Sequence, residues 1–217
     1  MRNIRATLDT YIRGIDVSTH NHNSWEHCYT HFRGPSGNRD HDALHLGFFL
    51  ASWGMYRKSG FICNHDYTIH KAAIAALRRP KFNVLWDRNF DYGARKTHET
   101  VSTTILQAAD AVREAYAEHV TKPKKVTDTL VSKVLLGMRG CLPACDRFFI
   151  AGFREEGRHY SGLNGRFVAS VFAFCRSNLS ALQSEQRRLK RELGARYPLM
   201  KLVDMYFHQI GRQVSVD

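Results

Sequence analysis

Apolar residues recur at intervals of three and four along almost all of this 217-residue chain, the spacing of helices that each bury one face. Ala43, Leu46, Leu50 and Trp53 repeat in this way inside a run from about Arg39 to Lys58. Val101, Ile105, Ala108, Val112 and Tyr116 do the same, with Thr97 placed to cap that helix. Leu130, Val134 and Met138 continue the pattern, and Leu179, Leu182, Gln186, Leu189 and Leu193 sustain it towards the end. The sequence shows no alternating pattern joined by a hairpin turn. The expected fold is all-α, a compact bundle of about eight to ten helices.

Helix breaks are expected at RGPSGN (33–38), RRPKFN (78–83), TKPKK (121–125), CLPAC (141–145) and HYSGLNG (159–165), where Pro, Gly and Asn interrupt helical hydrogen bonding. None is long enough to be a flexible linker. A single all-α domain over 1–217 is expected, with an aromatic- and histidine-rich part over 1–121 and a basic part over 122–217.

That division rests on charge. Thirty-two Lys and Arg against twenty Asp and Glu give a net charge of +12. Residues 122–217 hold 17 basic and 8 acidic side chains, whereas residues 1–121 hold 15 and 12. A clustered positive field favours a polyanion through counterion release, and nucleic acid is the expected partner. A hydrophobic content of 43% supplies a core. No apolar run nears the ~18 residues of a membrane span, and MRNIRATLDTYIRG lacks the apolar stretch of a signal peptide, so a cytoplasmic location is expected. Cys28, Cys63, Cys141, Cys145 and Cys175 are odd in number and scattered, which suits reduced, buried thiols. Cys141 and Cys145 have no second pair at zinc spacing, so neither a metal nor a cofactor is expected.

Two clusters in the first half carry candidate chemistry. SWEHCYTHF (24–32) places Trp25, Tyr29 and Phe32 on one helical face and His27 and His31 on its neighbour, and the following run adds His45, Trp53 and Tyr56. A packed aromatic core rimmed by histidines has this composition. So does a pocket that stacks an extruded nucleobase, with Trp25, His27, Tyr29, His45, Trp53 and Tyr56 as its walls. In RDHDALH (39–45), Arg39 and His45 are separated by five residues. This spacing resembles the Arg-polar-x-His motif of HEPN ribonucleases, which implies transesterification of RNA.

A third stretch, KVLLGMRGCLPACDRFF (133–149), delivers one aspartate, Asp146, at the expected start of a helix, beside Arg147 and two phenylalanines. Asp146 is there either a helix N-cap or a catalytic carboxylate. The order Val131-Ser132-Lys133, apolar Val134 to Met138, then Pro143 and Asp146 resembles the helix-hairpin-helix DNA glycosylase superfamily, in the branch of the archaeal 8-oxoguanine glycosylases. The likeness covers about twenty-five residues. It implies that Asp146 and Lys133 are catalytic, and that the partner is double-stranded DNA with a modified or damaged base. The expected reaction is hydrolysis of the N-glycosidic bond. Some relatives act against phages with modified cytosines, and the polar, aromatic first half leans towards that role. The chain departs from the family at the hairpin, which reads Leu136-Gly137-Met138-Arg139-Gly140 in place of Leu-Pro-Gly-Val-Gly. Lys133 is therefore expected to pair with Asp128 or Asp146 rather than to form a Schiff base, leaving an intact abasic site. Lys124, Lys125, Arg139, Arg147, Arg154 and Arg158 are the expected phosphate contacts. A non-enzymatic helical DNA-binding protein remains the third reading, and no obligate protein partner is expected.

Overall fold

A computed structural model describes residues 2–15, 22–35, 37–86, 91–92, 94–122, 124–194 and 196–215, with the side chains of 95–97 excepted. Among the described residues, ten α-helices and three short 3-10 segments account for the regular structure and no strand occurs. In chain order the helices are α1 (Ile4–Arg13), α2 (His22–Arg33), α3 (Arg39–Ser52), α4 (Lys71–Leu77) and α5 (Arg95–Ala117), then α6 (Asp128–Arg139), α7 (Arg147–Glu155), α8 (Gly165–Ser177), α9 (Leu179–Leu193) and α10 (Leu199–Val214). The all-α expectation holds, with ten helices at the upper end of the range.

Boundaries differ from the expectation in two places. α3 stops at Ser52 rather than near Lys58, because Gly54 turns the chain out of the helix at φ +71°. α5 begins at Arg95, two residues before Thr97, with Ala94 as its cap, and the first helical bond runs from His98 N to Ala94 O at 3.3 Å. The RRPKFN break is itself a 3-10 turn, Pro80–Leu85, opened by Pro80 at its first position.

α6 is the central post. Every residue from Leu130 to Arg139 is buried, so the helix is enclosed all round, by α2, α3 and α5. A helix buried on every side must carry any polar residue at a cost, which makes Ser132, Lys133 and Arg139 informative positions.

α7 and α10 form the tightest pair in the molecule. Gly152 and Gly211 face each other where the two helices cross. A Cβ on Gly152 would overlap the Phe207 carbonyl oxygen, and one on Gly211 would overlap the Phe148 carbonyl and lie 2.9 Å from Gly152 N. Only two glycines permit backbone against backbone here. Phe149, Phe153, Phe167, Phe174 and Phe207 seal the crossing in edge-to-face and tilted contacts of 4.7–5.5 Å for the Phe149–Phe207, Phe153–Phe207, Phe153–Phe167 and Phe174–Phe207 pairs.

The crossing predicts a sharp position dependence. Gly211→Ala should destabilise the protein by about 3 kcal/mol or more, since the helices must separate to admit the methyl group. Gly37→Ala, where a Cβ meets nothing within 4 Å, should change stability by less than ~0.5 kcal/mol. Urea melts of the two variants make the comparison.

Candidate active site

α6 ends at Arg139, and a loop of buried residues, 140–145, leads to Asp146. Three hydrogen bonds pin that loop. Ala144 N donates to Asp204 Oδ1 at 3.0 Å, Cys145 N donates to Ser132 Oγ at 2.7 Å, and Thr129 Oγ1 donates to Cys145 O at 2.8 Å. Ser132 and Thr129 are on α6 and Asp204 is on α10, so the loop is held from two sides. Asp204 is itself buried and accepts a second bond from Lys201 Nζ at 2.8 Å, a fully enclosed ion pair one turn apart.

Asp146 sits at the end of this scaffold as the N-cap of α7. Its Oδ1 accepts from Phe148 N at 3.1 Å and Phe149 N at 3.0 Å, which is the capping role. The other oxygen, Oδ2, lies 3.9 Å from Lys133 Nζ. One oxygen caps the helix and the other faces an amine.

The Lys133 amine donates to the Trp53 carbonyl at 2.8 Å and lies 5.6 Å from the Trp53 ring centroid. Burial lowers its pKa below the ordinary lysine value, against the opposing pull of Asp146 and Asp204. Pairing with Asp128 does not occur. That carboxylate accepts from Arg113 Nη2 at 2.9 Å, Tyr160 OH at 3.0 Å and Leu163 N at 2.8 Å, tying α5 and the loop before α8 to the start of α6.

Lys133 and Asp146 line a cleft of about 310 Å³ with Tyr11, Trp53, Phe148, His208 and Arg212. The His208 ring meets Phe148 at 5.2 Å and Tyr11 at 5.8 Å, both edge-on. Burial holds its pKa down, so His208 favours the neutral form, and burial raises that of Tyr11 so that its hydroxyl stays protonated. Arg212 is exposed at one edge of the cleft, and the exposed Arg147 guanidinium lies 4.4 Å from the Phe148 ring centroid. Arg57, also exposed, is close enough to depress Lys133 further. The cleft therefore combines an amine, a carboxylate, aromatic walls and cations around its mouth.

Of the six residues expected to wall a base pocket, only Trp53 reaches this cleft. Trp25 is a core residue, stacked on Tyr29 at 5.1 Å and on Tyr197 at 5.8 Å, with its Nε1 donating to Leu136 O at 3.2 Å. Tyr56 shares a 2.8 Å hydrogen bond with His70, whose other nitrogen bonds Tyr116 OH at 2.7 Å; burial takes the His70 pKa down to about 4. His27 is exposed on α2, and His45 stacks on His31 at 4.0 Å. Arg39 lines a separate surface depression with Asp42, Lys71 and Arg78, to which His45 does not contribute.

The expected phosphate contacts divide as well. Arg139 is buried, donates to the Leu77 carbonyl and lies 4.8 Å from the Trp86 ring centroid, so it braces the core instead. Arg158 donates to Ser170 O at 3.1 Å and packs on Phe174 at 5.1 Å. Lys124 is half-buried and donates to Gly60 O at 3.2 Å. Lys125, Arg147 and Arg154 are exposed, Arg154 reaching Tyr160 O at 3.4 Å.

Tyr11, Arg57, Lys201, Asp204, His208 and Arg212 are the contributors that sequence reading missed. For α10 a signal existed: Lys201, Asp204, His208 and Arg212 fall at spacings of three, four and four in a mostly apolar helix, LMKLVDMYFHQIGRQV. Such spacing puts all four on one face. No known protein family, curated protein or solved structure matches the chain.

Asp204 is the keystone of this scaffold. Asp204→Asn should cost about 3 kcal/mol or more, because the Lys201 ammonium is left buried without its counter-charge. Chemical denaturation measures the loss.

Proposed function

We propose that the chain is a DNA glycosylase whose reacting groups are Asp146 and Lys133. The observation that carries the proposal is their meeting at 3.9 Å on the wall of a cleft bounded by Tyr11, Trp53, Phe148, His208 and Arg212. Lys133, the buried loop with Pro143, and Asp146 at a helix start keep the order of the glycosylase likeness, and the pinned loop gives that order a fixed geometry.

Breaking an N-glycosidic bond builds positive charge on the anomeric carbon, as in other glycoside hydrolyses. Asp146 Oδ2, held by a helix cap on its other oxygen, is a fixed anion for that charge. A flat base enters between aromatic walls, with Trp53 and Phe148 as its stacking surfaces. Neutral His208 and the Tyr11 hydroxyl offer hydrogen bonds to its edge.

The placement of Lys133 alters the expectation for its role: it borders the cleft, its nearest carboxylate is 3.9 Å away, and burial lowers its pKa. A desolvated amine beside other cations is a better nucleophile than a solvated ammonium. On this reading its neutral form attacks the anomeric carbon as the bond to the base breaks. The base leaves with the bonding electron pair and takes up one of the two amine protons; as the sugar ring opens, its oxygen keeps the C–O electron pair and takes up the other, which leaves an imine between nitrogen and the anomeric carbon.

Asp146→Asn keeps much of the cap but removes the charge, so base release should fall by at least ~100-fold while DNA binding persists. Borohydride should trap a protein–DNA adduct with the unaltered chain and none with Lys133→Gln. An alkali-labile abasic product without any adduct would return the reaction to simple hydrolysis. RNA cleavage without base release from DNA would instead favour Arg39 and His45.

Arg57, Arg147 and Arg212 are the proposed phosphate contacts around the cleft. Their combined replacement by Gln should reduce the log–log salt dependence of DNA affinity by about 0.9 for each phosphate that is no longer neutralised. An unchanged slope would place the DNA elsewhere.

A further inference from the structure

A second cleft, also of about 310 Å³, lies at the other end of α10, walled by Tyr29, Trp86, Arg33, Arg196 and Pro198. Pro198 precedes α10 directly, and His208 of the first cleft is ten residues further on. At 1.5 Å per helical residue the two sites are separated by roughly 15 Å along the helix. Packed core fills the interval: Tyr29 stacks on Trp25, and Lys201 Nζ lies 5.0 Å from the Trp25 ring and 4.5 Å from that of Trp53. The second cleft is thus a site of its own.

Its chemistry differs from that of the first. Arg33 and Arg196 are both exposed, and neither has a carboxylate partner among the described residues. The Arg33 guanidinium lies 5.8 Å from the Tyr29 ring centroid, and no described carboxylate lines the cleft. Trp86 is half-buried and meets Tyr29 at 6.0 Å with 57° between the rings. Buried Arg139 braces the Trp86 ring from the core at 4.8 Å, fixing the indole as a wall. Two guanidinium forks with no carboxylate among the described lining residues suit a phosphate, and a braced indole suits a stacked heterocycle.

We propose that this cleft binds a single nucleotide unit, its base against Trp86 and its phosphate between Arg33 and Arg196. The unit comes either from a free nucleotide or from an unpaired position in a strand. Neither case depends on Lys133 or Asp146.

The test is a titration of the full chain with thymidine monophosphate, thymidine, inorganic phosphate and a thymidine trinucleotide, followed by calorimetry and tryptophan fluorescence. The monophosphate should bind and change the fluorescence, with thymidine and inorganic phosphate each at least ten-fold weaker. Arg33→Gln with Arg196→Gln should weaken it ten-fold or more, Trp86→Phe should remove the fluorescence change, and Lys133→Gln should alter neither. A trinucleotide ten-fold tighter than the monophosphate assigns the site to a strand, and equal affinity assigns it to a free nucleotide. No binding of the monophosphate, equal affinity for inorganic phosphate, or indifference to the arginine pair would overturn the proposal. Because Lys133→Gln is carried alongside, the outcome stands apart from any failure of the glycosylase reading.

Discussion

The contact between Gly152 and Gly211 governs the geometry of the rest. Where α7 and α10 touch backbone to backbone, the first turn of α7 and the polar face of α10 are brought side by side. Phe148 and His208 then share a wall, and Asp204 reaches the amide of Ala144 just ahead of Asp146. A methyl group at either glycine would push α7 outward and carry the carboxylate with it. The phenylalanines around the crossing supply adhesion, but the glycines set the distance.

Buried charge is the second organising feature, and it is used sparingly. Lys201 and Asp204 are enclosed together, and the aspartate's other oxygen holds the loop, so a costly pair also serves as a bracket. Lys133 is enclosed differently. Its nearest acceptor is the carbonyl of Trp53 at the end of α3, and its nearest carboxylate is 3.9 Å away. An ammonium in that position gains from the negative end of a helix dipole but lacks a close counter-ion. Burial depresses the pKa of the amine, and the pull of Asp146 and Asp204 only partly offsets it. Lys201 lies against the same Trp53 ring and pairs with Asp204 at 2.8 Å, a closer counter-ion than Lys133 has.

Much of the fold was legible because helix periodicity is a local signal. Val101 to Tyr116 and Leu179 to Leu193 form helices as their spacing requires. The error at Lys58 passed over Gly54, a stop signal present in the sequence, and the error at Thr97 arose because Ala94, which sets that end, has no side chain that can cap. The meeting of Lys133 with Asp146 followed the order of the segment, since thirteen residues spanning a helix and a pinned loop leave few ways to arrange them. The aromatic residues were less readable. Trp25, Trp53 and Tyr56 look alike in sequence, yet a stack on Tyr197, a cleft and a hydrogen bond to His70 separate them, and those partners come from distant segments. Arg139 was misplaced for the same reason, because Leu77 and Trp86 capture it from elsewhere in the chain.

The proposed chemistry rests on one electrostatic claim, that packing holds the Lys133 amine in a desolvated position within the field of Asp146. Titration of that amine by NMR, with lysine labelled at the side-chain nitrogen and Lys133→Gln used for assignment, tests it most directly. The expected result is a pKa below the ordinary lysine value in the folded protein, and a further fall in Asp146→Asn, since the carboxylate raises it. An amine that titrates as an ordinary exposed lysine, and that ignores the removal of the Asp146 charge, would contradict the claim.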